Sequence, residues 1–187
     1  WEMIFVLSGL YGLRRNEVLG LRWRNVDLKN KCFSVVEQLP FKVPPGTTTI
    51  TEMAPTKSQD RVLPITEITL PFFIKQRQLQ QKQKELAELS GQPYNDNDLV
   101  IAKADGAPAR ADRVTNNFAQ FLRHQNMPHI RFHDLRHSAA TNMHELTGDF
   151  YTVGEILGHT LKGIGLSLGI STNMADVTAR YVDVRLD

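Results

Sequence analysis

The sequence predicts an α+β fold, mostly α-helical, with three short strands. Two observations point there. Segments dominated by β-branched residues lie at Cys32 to Glu37 and Thr48 to Met53, with Pro44-Pro45-Gly46 forcing a turn between them and Arg61 to Ile65 following as a third strand. Elsewhere, apolar residues recur at helical spacing. A chain of 187 residues, 41% hydrophobic and 22% charged, is sized for one globular domain with a real core.

Residues 1–11 are apolar on nearly every side and meet a stop signal at Gly12, which predicts a buried helix. Asn16 is a candidate cap for a second short helix with Glu17 in its first turn, so Arg14 falls in the tight connection. Lys57 falls in the short turn between the second and third strands, where a long side chain can reach outward. Ile68 to Leu89 favours a solvated helix rich in Gln and Lys, closed by Gly91 and Pro93. Val114, Phe118, Phe121 and Leu122 form the stripe of a core-facing helix ending before Pro128. In the helix beginning near His133, residues Leu135, Ala139, Asn142, Met143 and Leu146 project to one side. His133, Arg136 and His137 fall roughly opposite, which places the polar cluster off the core face. A helix from Tyr151 to Leu157 ends at Gly158, and the remainder is also read as helical.

The 22 Lys+Arg against 20 Asp+Glu leave only +2, too little by itself to announce a nucleic-acid ligand. The distribution says more: residues 1–24 hold Arg14, Arg15, Arg22 and Arg24, residues 110–136 hold five arginines, and the C-terminal 47 residues are net acidic. The single cysteine, Cys32, excludes an internal disulfide and a multi-Cys metal site, and is expected to be buried and inert. No apolar run is long enough for a membrane span and no signal peptide is visible, so the reading is of a soluble, cytoplasmic protein with no membrane partner. The chain opens without an initiator Met in an apolar segment, which suggests a piece of a longer protein with sequence upstream.

His133 and His137, at i and i+4, raise the question of a metal. The fixed charge of Arg136 between them opposes a cation, and no Glu stands where a metalloprotease base is needed, so no metal is assigned. The chain instead carries, in order, Gly12-Leu13-Arg14-Arg15-Asn16-Glu17, Thr56-Lys57-Ser58, His133-Asp134-Leu135-Arg136-His137, Leu157-Gly158-His159 and a late Tyr181. Each alone is weak, since a lone His-x-x-Arg or Leu-Gly-His arises often by chance. In this order over residues 12–181 they resemble the tyrosine recombinases of the phage-integrase family. The resemblance implies a tyrosine-recombinase catalytic domain over residues 1–187, mostly helical with a small three-stranded antiparallel sheet on one side that carries Lys57, and DNA-binding domains upstream. It further implies double-stranded DNA as partner, a homotetramer on that DNA, a Holliday junction and no cofactor. Integration, excision, resolution and inversion share this chemistry and differ in site arrangement, accessory proteins such as DNA-bending proteins, and topology; integration or excision of a mobile element is favoured.

Displacing a phosphodiester oxygen needs a nucleophile, charge stabilisation on the non-bridging oxygens and a proton for the leaving group. Arg14 and Arg136 would clamp the phosphate, because a guanidinium stays charged and offers a planar donor fork. Tyr181 would attack phosphorus; with a reference pKa of about 10 it needs a base or a strong positive field, and His133 is the candidate base. The resemblance assigns Lys57 to protonating the departing 5′-hydroxyl, His159 to a phosphate hydrogen bond and Glu17 to orienting an arginine. Taken alone, Arg14 and Glu17 are an ordinary i,i+3 pair, and Tyr181 shares helical spacing with Val177 and Val184 as a core residue would. Among the other tyrosines, Tyr11 belongs to the buried first helix, Tyr94 to a polar loop and Tyr151 to the start of a helix.

His159 and Tyr181 stand 22 positions apart, roughly twice the usual family spacing, and the excess is the segment Lys162 to Gly169 with glycines at 163, 165 and 169. That segment is read as a tether letting the Tyr181 helix dock and undock. A type IB topoisomerase uses a similar residue set, but Leu157-Gly158-His159 favours an integrase. A DNA-binding module without catalysis would fit the altered spacing, and Arg14, Lys57, His133 and Arg136 argue against it.

Overall fold

The computed structural model describes residues 1–57 and 60–158. Helix α1 (Glu2–Phe5) runs directly into a π-helical turn, Val6–Leu10, and α2 (Arg15–Gly20) follows. After a 3₁₀ turn at Trp23–Asn25 come β1 (Val26–Asp27), β2 (Cys32–Val35), β3 (Glu37–Gln38), β4 (Ala54–Pro55) and β5 (Arg61–Pro64). Helices α3 (Leu70–Leu89), α4 (Ala111–His124), α5 (Asp134–Thr147) and α6 (Phe150–Leu157) follow among the described residues. None of the described helices is long and apolar enough to cross a membrane.

The three-stranded antiparallel sheet is present, in the order β1-β2-β5, with Phe33 opposite Leu63. Its membership departs from expectation. Residues 48–53 do not join it, because their backbone is held by a side chain: Ile50 N donates to Asn97 Oδ1 at 2.8 Å, and Asn97 Nδ2 donates to Thr48 O at 2.8 Å. The edge position goes to Val26–Asp27, and the stretch after Val35 pairs separately, Glu37 with Pro55 and Gln38 with Ala54. Lys57 therefore follows β4 and precedes β5, in the expected connection between strands.

The sheet packs its inner face on the helices. Phe33, Phe73, Phe118 and Leu7 are fully buried, and Tyr11 meets Phe33 edge-on at 5.0 Å while its hydroxyl donates to Pro64 O at 2.8 Å. Because β2 points Phe33 and Val35 inward, Cys32 is only half-buried, against expectation. On α4, Val114, Phe118 and Leu122 are buried, but Phe121 lies at the edge of the stripe, 44% exposed against the Phe5 ring.

Helix α2 is capped at Arg14, not at Asn16: the Glu17 carboxylate accepts the Arg14 backbone N–H at 3.0 Å. Asn16 instead fixes α2 to the strand region, exchanging hydrogen bonds with the Leu39 backbone. The expected facing of α5 is also corrected. Arg136 is 2% exposed alongside Ala139 and Ala140, whereas Leu146 is 86% exposed and Asn142 is exposed. The helix lies against the π-helical turn and α6. Arg136 can enter that interior because backbone carbonyls there receive its guanidinium.

Candidate active site

The connection at Tyr11–Leu13 is shaped by Gly12, at φ +65°. A Cβ there would lie 2.4 Å from Leu157 Cδ2 and 3.3 Å from Ala139 Cβ, so only glycine lets this turn approach α5 and α6. The close approach presents Gly12 O to Arg136 Nη1, while Arg136 Nη2 donates to Leu157 O at 2.8 Å. Burial, and then the nearby Arg14 charge, push Arg136 down to about 9, with Glu17 opposing the shift. The guanidinium accordingly remains cationic at neutral pH.

One turn away, the fully buried Glu17 carboxylate receives two guanidiniums, Arg14 Nη1 at 3.1 Å and Arg61 Nη2 at 2.8 Å. Burial alone would raise its pKa. The Arg61 hydrogen bond and charge, with the Arg14 N–H and charge behind them, hold it below the ordinary carboxylate value instead.

Next to this buried layer opens a cleft of about 600 Å³ lined in part by Arg14, Arg15, Lys57, Arg131 and His133, with no carboxylate among the described residues of its wall. Arg15 reaches across to α4, donating to Thr115 Oγ1 at 2.7 Å. Arg131 is paired with Asp134 at 2.8 Å. The exposed His133 ring stands edge-on to His137, centroids 5.0 Å apart. Partial desolvation against the fold lowers its pKa below 6.5, and the charges of His137, Arg136, Arg131 and Arg14 add to that. It is therefore mainly neutral at pH 7 and able to accept a proton. Among the described residues, no group of three His, Cys, Asp or Glu side chains is placed to hold a metal.

The structure thus brings Arg14, Lys57 and His133 into one cleft, with Arg136 and Glu17 packed beneath it. His159, Tyr181 and the 162–169 segment lie outside the described residues. Arg61 was not singled out from the sequence, where it reads as an ordinary residue opening a strand. Arg15 and Arg131 carried a signal, as members of the two basic clusters, but no assigned role.

The model of the phage integrase family matches residues 3–164. Among curated relatives, a tyrosine recombinase XerC-like protein of Caldanaerobacter subterraneus subsp. tengcongensis is 29% identical over 182 residues, covering 92% of this chain and 45% of that protein. Tyrosine recombinase XerC of Xylella fastidiosa (strain 9a5c) is 30% identical over 181 residues, with coverage of 94% and 45%. The chain spans less than half the length of these relatives. Among solved structures, the Tn1549 transposon integrase in complex with transposon right-end DNA superposes with TM-score 0.68 at 19% identity, covering 97% of this chain and 57% of that one. The XerH site-specific recombinase bound to palindromic difH gives TM-score 0.61 at 18% identity, with coverage of 95% and 44%. Those likenesses establish a shared fold, helices with a small antiparallel sheet. With the family match covering most of the sequence, the chain belongs to the phage integrase family.

Proposed function

We propose that the protein is a site-specific tyrosine recombinase that cleaves and rejoins double-stranded DNA through a 3′-phosphotyrosine intermediate, integrating or excising a mobile element. The observation that carries this reading is the cationic cleft that draws Arg14, Lys57 and His133 from three distant stretches of chain over the buried Arg136. A phosphodiester seated there would meet guanidinium donors at its non-bridging oxygens, in a setting where their charge is poorly screened. Arg136 and Arg14 form the clamp, Glu17 orients Arg14, and His159 adds a hydrogen bond.

In the cleavage step, the Tyr181 oxygen forms a bond to phosphorus as the bond from phosphorus to O5′ breaks. The phenol proton passes to neutral His133, and Lys57 delivers a proton to O5′, leaving a free 5′-hydroxyl. Attack by a partner strand's 5′-hydroxyl reverses the chemistry, releases Tyr181 and yields a Holliday junction within a homotetramer, with accessory DNA-bending proteins setting the direction. No external energy source is required because the phosphodiester energy is kept in the tyrosyl ester.

Covalent trapping tests the proposal. Nicked duplexes tiled from the DNA flanking the gene are incubated with the native chain and with Tyr181→Phe, then resolved on a denaturing gel. An adduct with the native chain that vanishes with Tyr181→Phe is expected. Duplex binding with no adduct on any flank would overturn the reading in favour of a non-catalytic DNA-binding module, and an adduct persisting in Tyr181→Phe would reassign the nucleophile.

A further inference from the structure

We propose that Arg61 is a positioning residue for the phosphate clamp: from β5 it ties the Glu17 carboxylate that holds Arg14 to the C-terminal turn of α6, which Arg136 also holds. This inference rests on the cleavage reading above. Arg61 Nη2 lies 2.8 Å from Glu17 Oε2, and its Nε donates to Ile156 O at 2.8 Å. The Arg61 side chain is 7% exposed and that of Glu17 0%, so this pair differs from a solvated surface bridge; losing one partner strands a buried charge.

The carbonyls of Ile156 and Leu157 belong to the last turn of α6, the end of a helix where carbonyls run short of intrahelical donors. Two guanidiniums take those places, Arg61 on Ile156 O and Arg136 on Leu157 O, at the negative end of the helix. Gly158 then turns the chain in the left-handed region at φ +64°. One side chain thus joins β5, α2 and α6, and acts on Arg14 and on the turn leading into position 159 together. The task requires a planar fork with donors aimed at two separate segments, which an ammonium lacks. Arg61 is not among the cleft-lining residues, so it acts through its neighbours and not on substrate.

The electrostatics agree. Among the described residues, the charged groups acting on Glu17 include Arg14 at the start of α2, Arg61 on β5 and Arg136 on α5. Of the influences that hold the buried carboxylate ionised, the Arg61 hydrogen bond and charge are the largest.

The test compares the native chain, Arg61→Gln and Arg61→Lys by hydrogen exchange and by adduct formation on the same nicked duplexes. Faster exchange is expected in residues 12–20 and 150–158 of both variants, with the exchange of α3 unchanged. Adduct formation is expected to slow by about 10²-fold at saturating duplex while duplex affinity holds, the signature of misplaced groups rather than lost contacts. Arg61→Lys, which keeps a charge beside Glu17, is expected to stay folded and to show both effects even if Arg61→Gln unfolds. Native exchange in both segments, or a drop in duplex affinity that accounts for the whole rate loss, would overturn the proposal. A native chain that forms no adduct overturns the cleavage reading, while the exchange comparison still decides whether Arg61 organises the clamp.

Discussion

Arg136 donates to Gly12 O and Leu157 O from opposite arms of one guanidinium, so its direction is fixed along with its charge. Lysine at this position would keep the charge and leave one buried carbonyl without a donor, a loss of about 1–3 kcal/mol. Arg136→Lys is therefore expected to lower the urea midpoint and to slow adduct formation by about 10²-fold, as removal of one preorganised donor does elsewhere. An unchanged rate would show that position 136 needs only a charge. At His133 the expected observable is pH. Its folded-state pKa lies below 6.5 through partial desolvation first, then the neighbouring charges of His137, Arg136, Arg131 and Arg14. Above the unfolded value neither state holds the proton. As pH falls below 6.5 the unfolded chain takes it up first, so stability declines through the window down to the folded pKa. The same neutral form accepts the Tyr181 proton on the proposed mechanism. The acid limb of the pH–rate profile should therefore fall below 6.5 and move upward in Arg131→Gln, which removes one of the positive charges that depress it. Rates measured from about pH 5 to about pH 8 check this, and a limb that Arg131→Gln leaves in place would assign it to another group.

The connection before α2 is the element on which the proposed clamp is built, and Gly12 is its tightest point. Alanine there meets a disfavoured φ and a Cβ 2.4 Å from Leu157 Cδ2. The backbone penalty is about 1–2 kcal/mol and the overpacking about 1–3 kcal/mol. Gly12→Ala is expected to lower the denaturation midpoint, and adding Leu157→Ala should recover less than the whole loss, because the second change removes the clash and not the φ strain. Full recovery would place the entire cost in packing. Elements of this kind differ in how far the sequence exposes them. The α3 and α4 helices were legible, since Gly91 and Pro93 mark one end and Val114, Phe118 and Leu122 the buried face of the other. The outer strand was not, because whether residues 48–53 or Val26–Asp27 pair with β2 is decided by Asn97, far along the chain, which holds the backbone at 48 and 50. On α5 the helical spacing was right and the facing wrong: hydrophobicity sends Leu146 inward and Arg136 outward, whereas carbonyls supplied by Gly12 and Leu157 reverse that order for Arg136.

Across the described residues, Arg14, Lys57, His133 and Arg136 each sit in a short local motif, whereas their placement relative to one another required the fold. Arg61 was hidden for the complementary reason: its partners Glu17 and Ile156 lie 44 and 95 positions away, and nothing local marks either contact. Charge also resolves only at this scale. The chain totals +2, yet the cleft wall holds Arg14, Arg15, Lys57 and Arg131, with no carboxylate among its described residues. Arg131 is already paired with Asp134 at the surface, so Arg15 and Lys57, beside the Arg14 of the proposed clamp, are the cations expected to displace counterions from a docked backbone. Each phosphate neutralised on B-DNA contributes about 0.9 to the slope of log affinity against log salt. Arg15→Gln should reduce that slope by about 0.9, Arg131→Gln by clearly less, and Lys82→Gln, on the exposed face of α3, by nothing measurable. Duplex titrations from about 0.05 to about 0.2 M salt read the three slopes directly. Equal reductions for Arg15→Gln and Lys82→Gln would mean that DNA meets the chain as a diffuse cation and not through the cleft; the ordering Arg15, Arg131, Lys82 would locate the phosphate track along the wall that Lys57 and His133 share.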